Sequence, residues 1–198
     1  RKRHEKKPDE FDFALIEKIE NSEIPYWFPT DRMMEGKETR RNDPIGITHV
    51  HHFYTKRNLW VLGALYAKCG PQHKLLFQSI VATLCSRLVR YNMGKRGNGP
   101  LNGTLYVSSL NAETEITKVF QGKIKNFTKA FLLNTRNIGQ TQSFERTHIL
   151  SNSLDYIFID PPFGSNLNYS ELNFLWESWL KIWTNNKPEA IDNKTQGK

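Results

Sequence analysis

The residues best suited to chemistry stand together at Asp160-Pro161-Pro162-Phe163, directly after the apolar run Leu154 to Ile159. One reaction that these residue types suit is methylation of the exocyclic amino nitrogen of adenine or cytosine. This nitrogen is a poor nucleophile, because its lone pair is delocalised into the ring. A carboxylate accepting one N–H bond, and a backbone carbonyl accepting the other, would favour a pyramidal nitrogen whose lone pair points at a methyl donor. Asp160 can provide the carboxylate and Pro161 the carbonyl. The loop therefore predicts methyl transfer to the amino group of a nucleobase.

The neighbours of Asp160 suit the same task. The two prolines fix their φ angles, and Pro162 holds Pro161 extended, so the Pro161 carbonyl is aimed before substrate arrives. Phe163 offers a face on which an extruded base can stack, and Gly164 leaves room for close approach. The alternative is a strand that ends in a proline-capped turn, with Asp160 as an ordinary turn residue.

The pattern of apolar residues predicts five helices and three strands. The helical segments are 11–20, 55–70, 73–91, 113–134 and 172–183, and the strand segments are 104–108, 138–141 and 154–159. Strands that alternate with helices predict a doubly wound α/β domain with an open, mostly parallel sheet. In such a sheet ligands bind beyond the carboxyl ends of the strands, where Asp160 stands. We expect a basic tail at 1–10, a helix and long loop at 11–52, and a catalytic domain at 53–198.

The composition narrows the class of protein. The 198 residues carry a net charge of +8, which favours a polyanionic partner such as DNA. The longest apolar runs are too short for a membrane span and no signal peptide is visible, so we expect a cytoplasmic protein without a membrane partner. Cys69 and Cys85 lack the spacing of a metal site and are predicted to be reduced core residues.

The loop and its surroundings resemble the DNA adenine-N6 and cytosine-N4 methyltransferases, whose signature is Asp-Pro-Pro followed by Tyr or Phe. The similarity extends over DYIFIDPPFGSNLNYSELNFLWESWL (155–180), IPYWFPTDRM (24–33) and GITHVHHFYTKRNLWVLGAL (46–65). It implies a Rossmann-like class I methyltransferase fold, with S-adenosylmethionine as the donor and adenine N6 favoured as the acceptor. The catalytic residues would be Asp160, Pro161, Pro162 and Phe163.

The resemblance also implies roles for other residues. Phe53 and Thr55 would lie beside the donor together with Asp160, at a helix start suited to the carboxylate of its methionine part. Phe163, Gly164, Asn166 and Tyr169 would contact the base. The glycine-rich loop that such enzymes place beside the donor has no counterpart here. We therefore expect a partial domain, completed by an upstream segment or by another subunit.

Three further sets of residues leave alternatives open. His49, His51 and His52 suggest a metal, but no acidic residue or cysteine stands at ligand spacing, so hydrogen bonding is favoured. Tyr169, Glu171 and Asn173 would shape a base pocket; alternatively, Ser170 and Glu171 cap the helix that follows. The basic residues of the long loop at 24–44 and of the loop at 94–100 are either candidate phosphate contacts or part of a solvated surface: Arg32, Lys37, Arg40, Arg41, Lys95 and Arg96.

Two other functions compete with DNA methylation. Some rRNA guanine-N2 methyltransferases carry Asp-Pro-Pro-Phe after a buried strand, although the YSELNFLWESWL continuation favours DNA. The absent glycine-rich loop instead favours a non-catalytic nucleic-acid-binding subunit with a degenerate methyltransferase fold.

Overall fold

The computed structural model describes residues 6–91, 99–131, 147–160, 164, 167–189 and 191–197. Within these ranges the regular structure is helical. The α-helices are α1 (Glu10–Asn21), α2 (Lys37–Arg40), α3 (Lys56–Lys68), α4 (Pro71–Lys74), α5 (Leu76–Ile80), α6 (Ile116–Phe131) and α7 (Tyr169–Leu180). Short 3-10 turns occur at Asp43–Ile45, Val50–Phe53 and Lys194–Gln196. In this part of the chain no helix is long and apolar enough to cross a bilayer.

The prediction of a Rossmann-like α/β fold with a parallel sheet is wrong for the described residues. They contain no strand, and their only β-pairings are isolated bridges between Arg32 and His49 and between Arg90 and Asn111. Segments 104–108 and 154–159, predicted as strands, form no ladder, and 138–141 lies outside the described ranges. An apolar run becomes a strand only where a neighbouring chain pairs with its backbone, and the run itself does not reveal that neighbour.

Helices with a clear start signal were predicted correctly. Asp9 begins α1 with a capping box, in which its carboxylate accepts from Asp12 N while the Asp12 carboxylate accepts from Asp9 N. Thr55 begins α3, because its hydroxyl accepts from Asn58 N at 3.3 Å. The predicted helix at 73–91 is wrong in extent: α5 ends at Ile80 and irregular turns follow.

One tryptophan stands at the centre of the core. Trp179 of α7 is fully buried, and its ring lies 5.5 Å from that of Phe77 and 5.9 Å from that of Tyr66. Its indole N–H donates to the Tyr54 hydroxyl at 3.1 Å. Because the core joins α7 to α3 and α5, it fixes the helix that follows the Asp160 loop.

A buried carboxylate fixes α7 to the long loop at 24–44. Glu171 has no exposed surface, and its carboxylate accepts from Glu38 N at 2.7 Å, Thr39 N at 2.9 Å and the Asn193 side-chain amide at 2.9 Å. Glu171 thereby satisfies free backbone N–H groups at the start of α2. The close approach requires a glycine at position 36, where a Cβ would overlap the Glu171 carboxyl group.

We expect Gly36→Ala to lower the free energy of unfolding by about 2 kcal/mol, because the added methyl group forces α2 and Glu171 apart. Chemical denaturation of the purified chain would measure the change. Gly99→Ala is the matched control, since a Cβ there meets no other atom within 4 Å. Equal stability of both variants and the wild type would contradict the packing described here.

Candidate functional site

The structure describes part of the Asp160 loop. Asp160 and Gly164 are exposed, and Gly164 has a φ of +48°, a conformation that glycine adopts without strain. Pro161, Pro162, Phe163 and Asn166 lie outside the described residues, so their predicted roles stay predictions. No hydrogen bond or ion pair joins Asp160 to another described residue. Its carboxylate is therefore not used by the part of the fold that the structure shows.

The apolar run before Asp160 is exposed as well. Tyr156 and Phe158 each have 79% of their surface accessible, and Ile157 has 64%. A central strand of the predicted parallel sheet would be covered on both faces, so this exposure also contradicts that sheet. Contiguous exposed apolar surface of this kind is uncommon in folded chains, and it adjoins the loop that carries the candidate chemistry.

The other end of the loop is firmly attached. The Gly164 carbonyl accepts from Asp192 N at 3.1 Å, and the Asn193 amide donates to the Asn168 side-chain oxygen at 3.3 Å as well as to Glu171. A polar cavity of about 270 Å³ lies here, lined in part by Lys37, Asn168 and Asp192. The C-terminal side of the loop is thus held by α7 and by the turn at 191–196.

The three candidates that follow the loop have different positions. Tyr169 begins α7 and is 43% exposed, so its ring is accessible to a ligand. Glu171 is buried and binds the start of α2 rather than capping its own helix. Asn173 is half-buried on α7. Of the three, Tyr169 alone combines nearness to the loop with a largely accessible side chain.

The predicted donor element at the start of α3 is already engaged. Phe53 is fully buried in the core, so its ring is covered in this conformation. The Thr55 hydroxyl donates to the carboxylate of Glu113, which also forms an ion pair with Arg57. A carboxylate of the chain itself therefore occupies the place at the helix start where the carboxylate of a donor was expected. Sequence spacing gave no signal for Glu113, which lies 58 residues from Thr55.

The two predicted halves of the site are not joined in the structure. Among the described residues no hydrogen bond or ion pair connects Asp160 with Phe53, Thr55 or Tyr169. Two of the basic candidates of the long loop are engaged internally. Arg40 donates to the Met34 carbonyl at 2.9 Å and pairs with Asp43, and Arg41 pairs with Glu38 at 2.7 Å. Arg32 and Lys37 are exposed, and Lys95 and Arg96 lie outside the described ranges.

No family model, curated protein or solved structure matches the chain.

Two of the three neighbouring histidines, His51 and His52, line a separate cavity of about 710 Å³. The rings of His51 and His52 lie 4.2 Å apart, and the His49 ring lies 5.1 Å from that of His52. His52 Nδ1 accepts from Thr48 N at 3.2 Å, whereas the buried His51 Nδ1 has no partner in the described part of the chain. No group of ligating side chains among the described residues could hold a metal ion.

We expect the His51 imidazole to make stability depend on pH. Burial, followed by the neighbouring His52 and His49, lowers the pKa of His51 to about 4, whereas the unfolded chain titrates near the usual 6.5. The unfolded state therefore binds more protons between these values, so the free energy of unfolding falls as the pH drops from 6.5 towards 4. Denaturation at several pH values would measure the slope.

His51→Gln should flatten this slope, leaving the part due to His52, whose pKa burial also lowers. The matched control is His73→Gln, which removes an exposed imidazole on α4. A slope unchanged in His51→Gln would show that this imidazole is not the group responsible.

Proposed function

We propose that this chain carries the acceptor half of an S-adenosylmethionine-dependent methyltransferase that modifies an exocyclic amino group in DNA, with adenine N6 favoured over cytosine N4. The observation that carries the proposal is Asp160-Pro161-Pro162-Phe163, with an exposed Asp160 carboxylate. The carboxylates of Glu38, Glu113 and Glu171 are committed to internal contacts. Asp160 has no such contact with a described residue, which suits an acceptor that must bind substrate.

In this proposal Asp160 accepts one N–H of the target amine and the Pro161 carbonyl accepts the other. The nitrogen lone pair is then free of the ring and directed at the methyl group. A bound S-adenosylmethionine would supply that methyl group from its positively charged sulfur, which would keep the electron pair of the broken carbon–sulfur bond and leave as a neutral thioether. The carboxylate also stabilises the positive charge that develops on the amine before a proton leaves to solvent.

As folded, the start of α3 does not fit the donor. Phe53 is covered, and the Glu113 carboxylate stands beside Thr55 and Arg57. A second carboxylate at the same place would be repelled at short range. We therefore propose that other residues, from another segment or another subunit, complete the donor site.

We expect Asp160→Asn to lower the rate of methyl transfer by about two to three orders of magnitude, because one positioned acceptor for developing charge is lost. The variant keeps the size of the side chain and removes its charge. Incorporation of tritiated methyl groups into duplex DNA by the enzyme with its natural partners would measure the effect.

Asp155→Asn is the matched control, since Asp155 is an exposed aspartate in the same segment. Transfer by Asp160→Asn at the wild-type rate would contradict the assignment. Methylation of rRNA with none of DNA would favour the RNA enzyme instead.

A non-catalytic nucleic-acid-binding subunit is the second candidate. The observation that favours it is the Glu113 carboxylate at the start of α3, which closes the predicted donor position. Such a subunit would contribute binding surface to an assembly whose chemistry lies elsewhere. Donor binding distinguishes the two functions.

We expect the 198-residue chain to bind S-adenosylmethionine weakly, with a dissociation constant near the millimolar range. Glu113→Gln should tighten binding severalfold, because it removes the competing negative charge and leaves Arg57 available. Calorimetric titration would measure both constants, with Glu10→Gln as a charge-matched control on exposed α1.

A low-micromolar constant for the wild type would show that the donor site lies elsewhere and is complete. No binding by either the wild type or Glu113→Gln would favour the non-catalytic subunit.

A further inference from the structure

The helix α6 has an unusual balance of charge. Its sixteen residues, ITKVFQGKIKNFTKAF, contain four lysines and no acidic residue. Surface helices of soluble domains commonly intersperse both signs, because pairs three or four residues apart stabilise the helix. Within α6 no such pair can form, and Lys118 at its start instead pairs with Glu115, which precedes the helix. α6 therefore presents a positive surface that its own sequence does not neutralise.

The apolar side of α6 is occupied by the core. Ile116 and Phe120 are buried, and Ile124 and Phe127 pack partly buried against the same cluster. An amphipathic basic helix binds a membrane by inserting its apolar face between lipids. Since that face is already covered by α3 and α5 of the same chain, α6 offers a partner only its polar side.

Within the exposed polar side of α6, four residues are spaced four, three and four apart: Lys118, Gly122, Lys125 and Lys129. This spacing places all of them in a stripe on one face of the helix. Lys118 forms an ion pair with Glu115, whereas Lys125 and Lys129 are exposed. The helix dipole favours a cation in the last turn and so accounts for Lys129, but it does not account for Lys125.

A glycine lies in the middle of this stripe. Gly122 is exposed, and a Cβ at this position would meet no atom within 4 Å. Glycine inside a helix costs about 1 kcal/mol relative to alanine, and here no packing contact requires it. A glycine also permits the backbone of a partner to approach closely. The absence of a side chain at Gly122, between Lys118 and Lys125, is an observation separate from the charge of the lysines. It favours a partner that lies against the helix.

We propose that the stripe Lys118–Gly122–Lys125–Lys129 is a docking surface for the sugar-phosphate backbone of duplex DNA. Lys125 and Lys129 stand about 6 Å apart along the helix axis, and their flexible side chains can reach neighbouring phosphates of one strand. The contact carries no base specificity; it holds the duplex while another part of the protein reads the target. This choice of DNA rests on the proposed function, although the binding itself requires no methyl transfer.

The test is DNA binding by the full 198-residue chain in the absence of donor, measured by fluorescence anisotropy with a labelled 20-base-pair duplex at several salt concentrations. Lys125→Gln/Lys129→Gln should weaken binding about tenfold at low salt and reduce the slope of log K against log salt by about 2. Lys68→Gln/Lys187→Gln, which neutralises two exposed lysines elsewhere, should leave affinity and slope near the wild-type values.

Gly122→Gln provides a second test, in which thermal stability and DNA affinity should change in opposite directions. The longer side chain has higher helix propensity, so the thermal stability should rise, while DNA affinity should fall because the side chain stands where the duplex approaches. A simple folding defect would lower both quantities. Increased stability with unchanged affinity would remove the argument from Gly122.

Each remaining outcome has a defined meaning. Equal losses in the two double-lysine variants would show a general charge effect and overturn the proposal. Lysine-dependent binding to vesicles containing phosphatidylserine, or to duplex RNA, without binding to duplex DNA would also overturn it. Absent methylation by the wild type with its natural partners, together with lysine-dependent DNA binding, would reject the proposed function while retaining this surface.

Discussion

The Glu171 carboxylate is the interaction on which the arrangement of the candidate site depends. Removing a carboxylate from water is costly, and here the compensation comes from neutral donors: two backbone N–H groups of α2 and the Asn193 amide. These donors belong to segments far apart in the sequence, since Glu38 is 133 residues from Glu171. Each segment therefore satisfies polar groups of the others, and none can be shifted without leaving buried groups unpaired.

This constraint divides the candidate loop into a fixed and an accessible side. Beyond Gly164 the chain is held by Asp192, by Asn193 and by α7, whose Trp179 is packed in the core. Asp160 and the apolar run before it are exposed. The proposed chemistry needs Asp160 and the Pro161 carbonyl in a defined geometry. The fixed φ angles of the two prolines would supply part of that geometry.

The sequence was informative where structure is decided locally. The apolar periodicity was sufficient to predict α1 and α3, and in the structure both helices begin at capping residues, Asp9 and Thr55. Predictions from the sequence were wrong where contacts between residues far apart in the chain determine the structure. The helix predicted to continue to Tyr91 ends at Ile80, and farther along the Cys85 carbonyl accepts from the Asn58 side chain and Arg87 N donates to the Phe53 carbonyl, which are backbone groups that a continuing helix would pair internally. The predicted sheet failed for a related reason, since an apolar run at 154–159 indicates a need for burial but not the element that meets it.

The same distinction explains what could be predicted of the site. The chemistry proposed for Asp160 to Phe163 can be inferred from the sequence because it depends on adjacent residues, and it does not require a particular fold. Adjacent residues do not predict in the same way which charged side chains bind within the protein and which stay available to a partner. Arg40 and Arg41 looked like phosphate contacts, yet a guanidinium donates to several acceptors at once and both serve the internal contacts of the long loop. Lysine is a strongly hydrated point charge on a flexible stem, and Lys125 and Lys129 remain exposed above a packed helix. Positive charge is therefore unevenly available to a partner in a chain of net charge +8: Arg40 and Arg41 of the long loop bind other residues of the protein, whereas Lys125 and Lys129 of α6 are exposed.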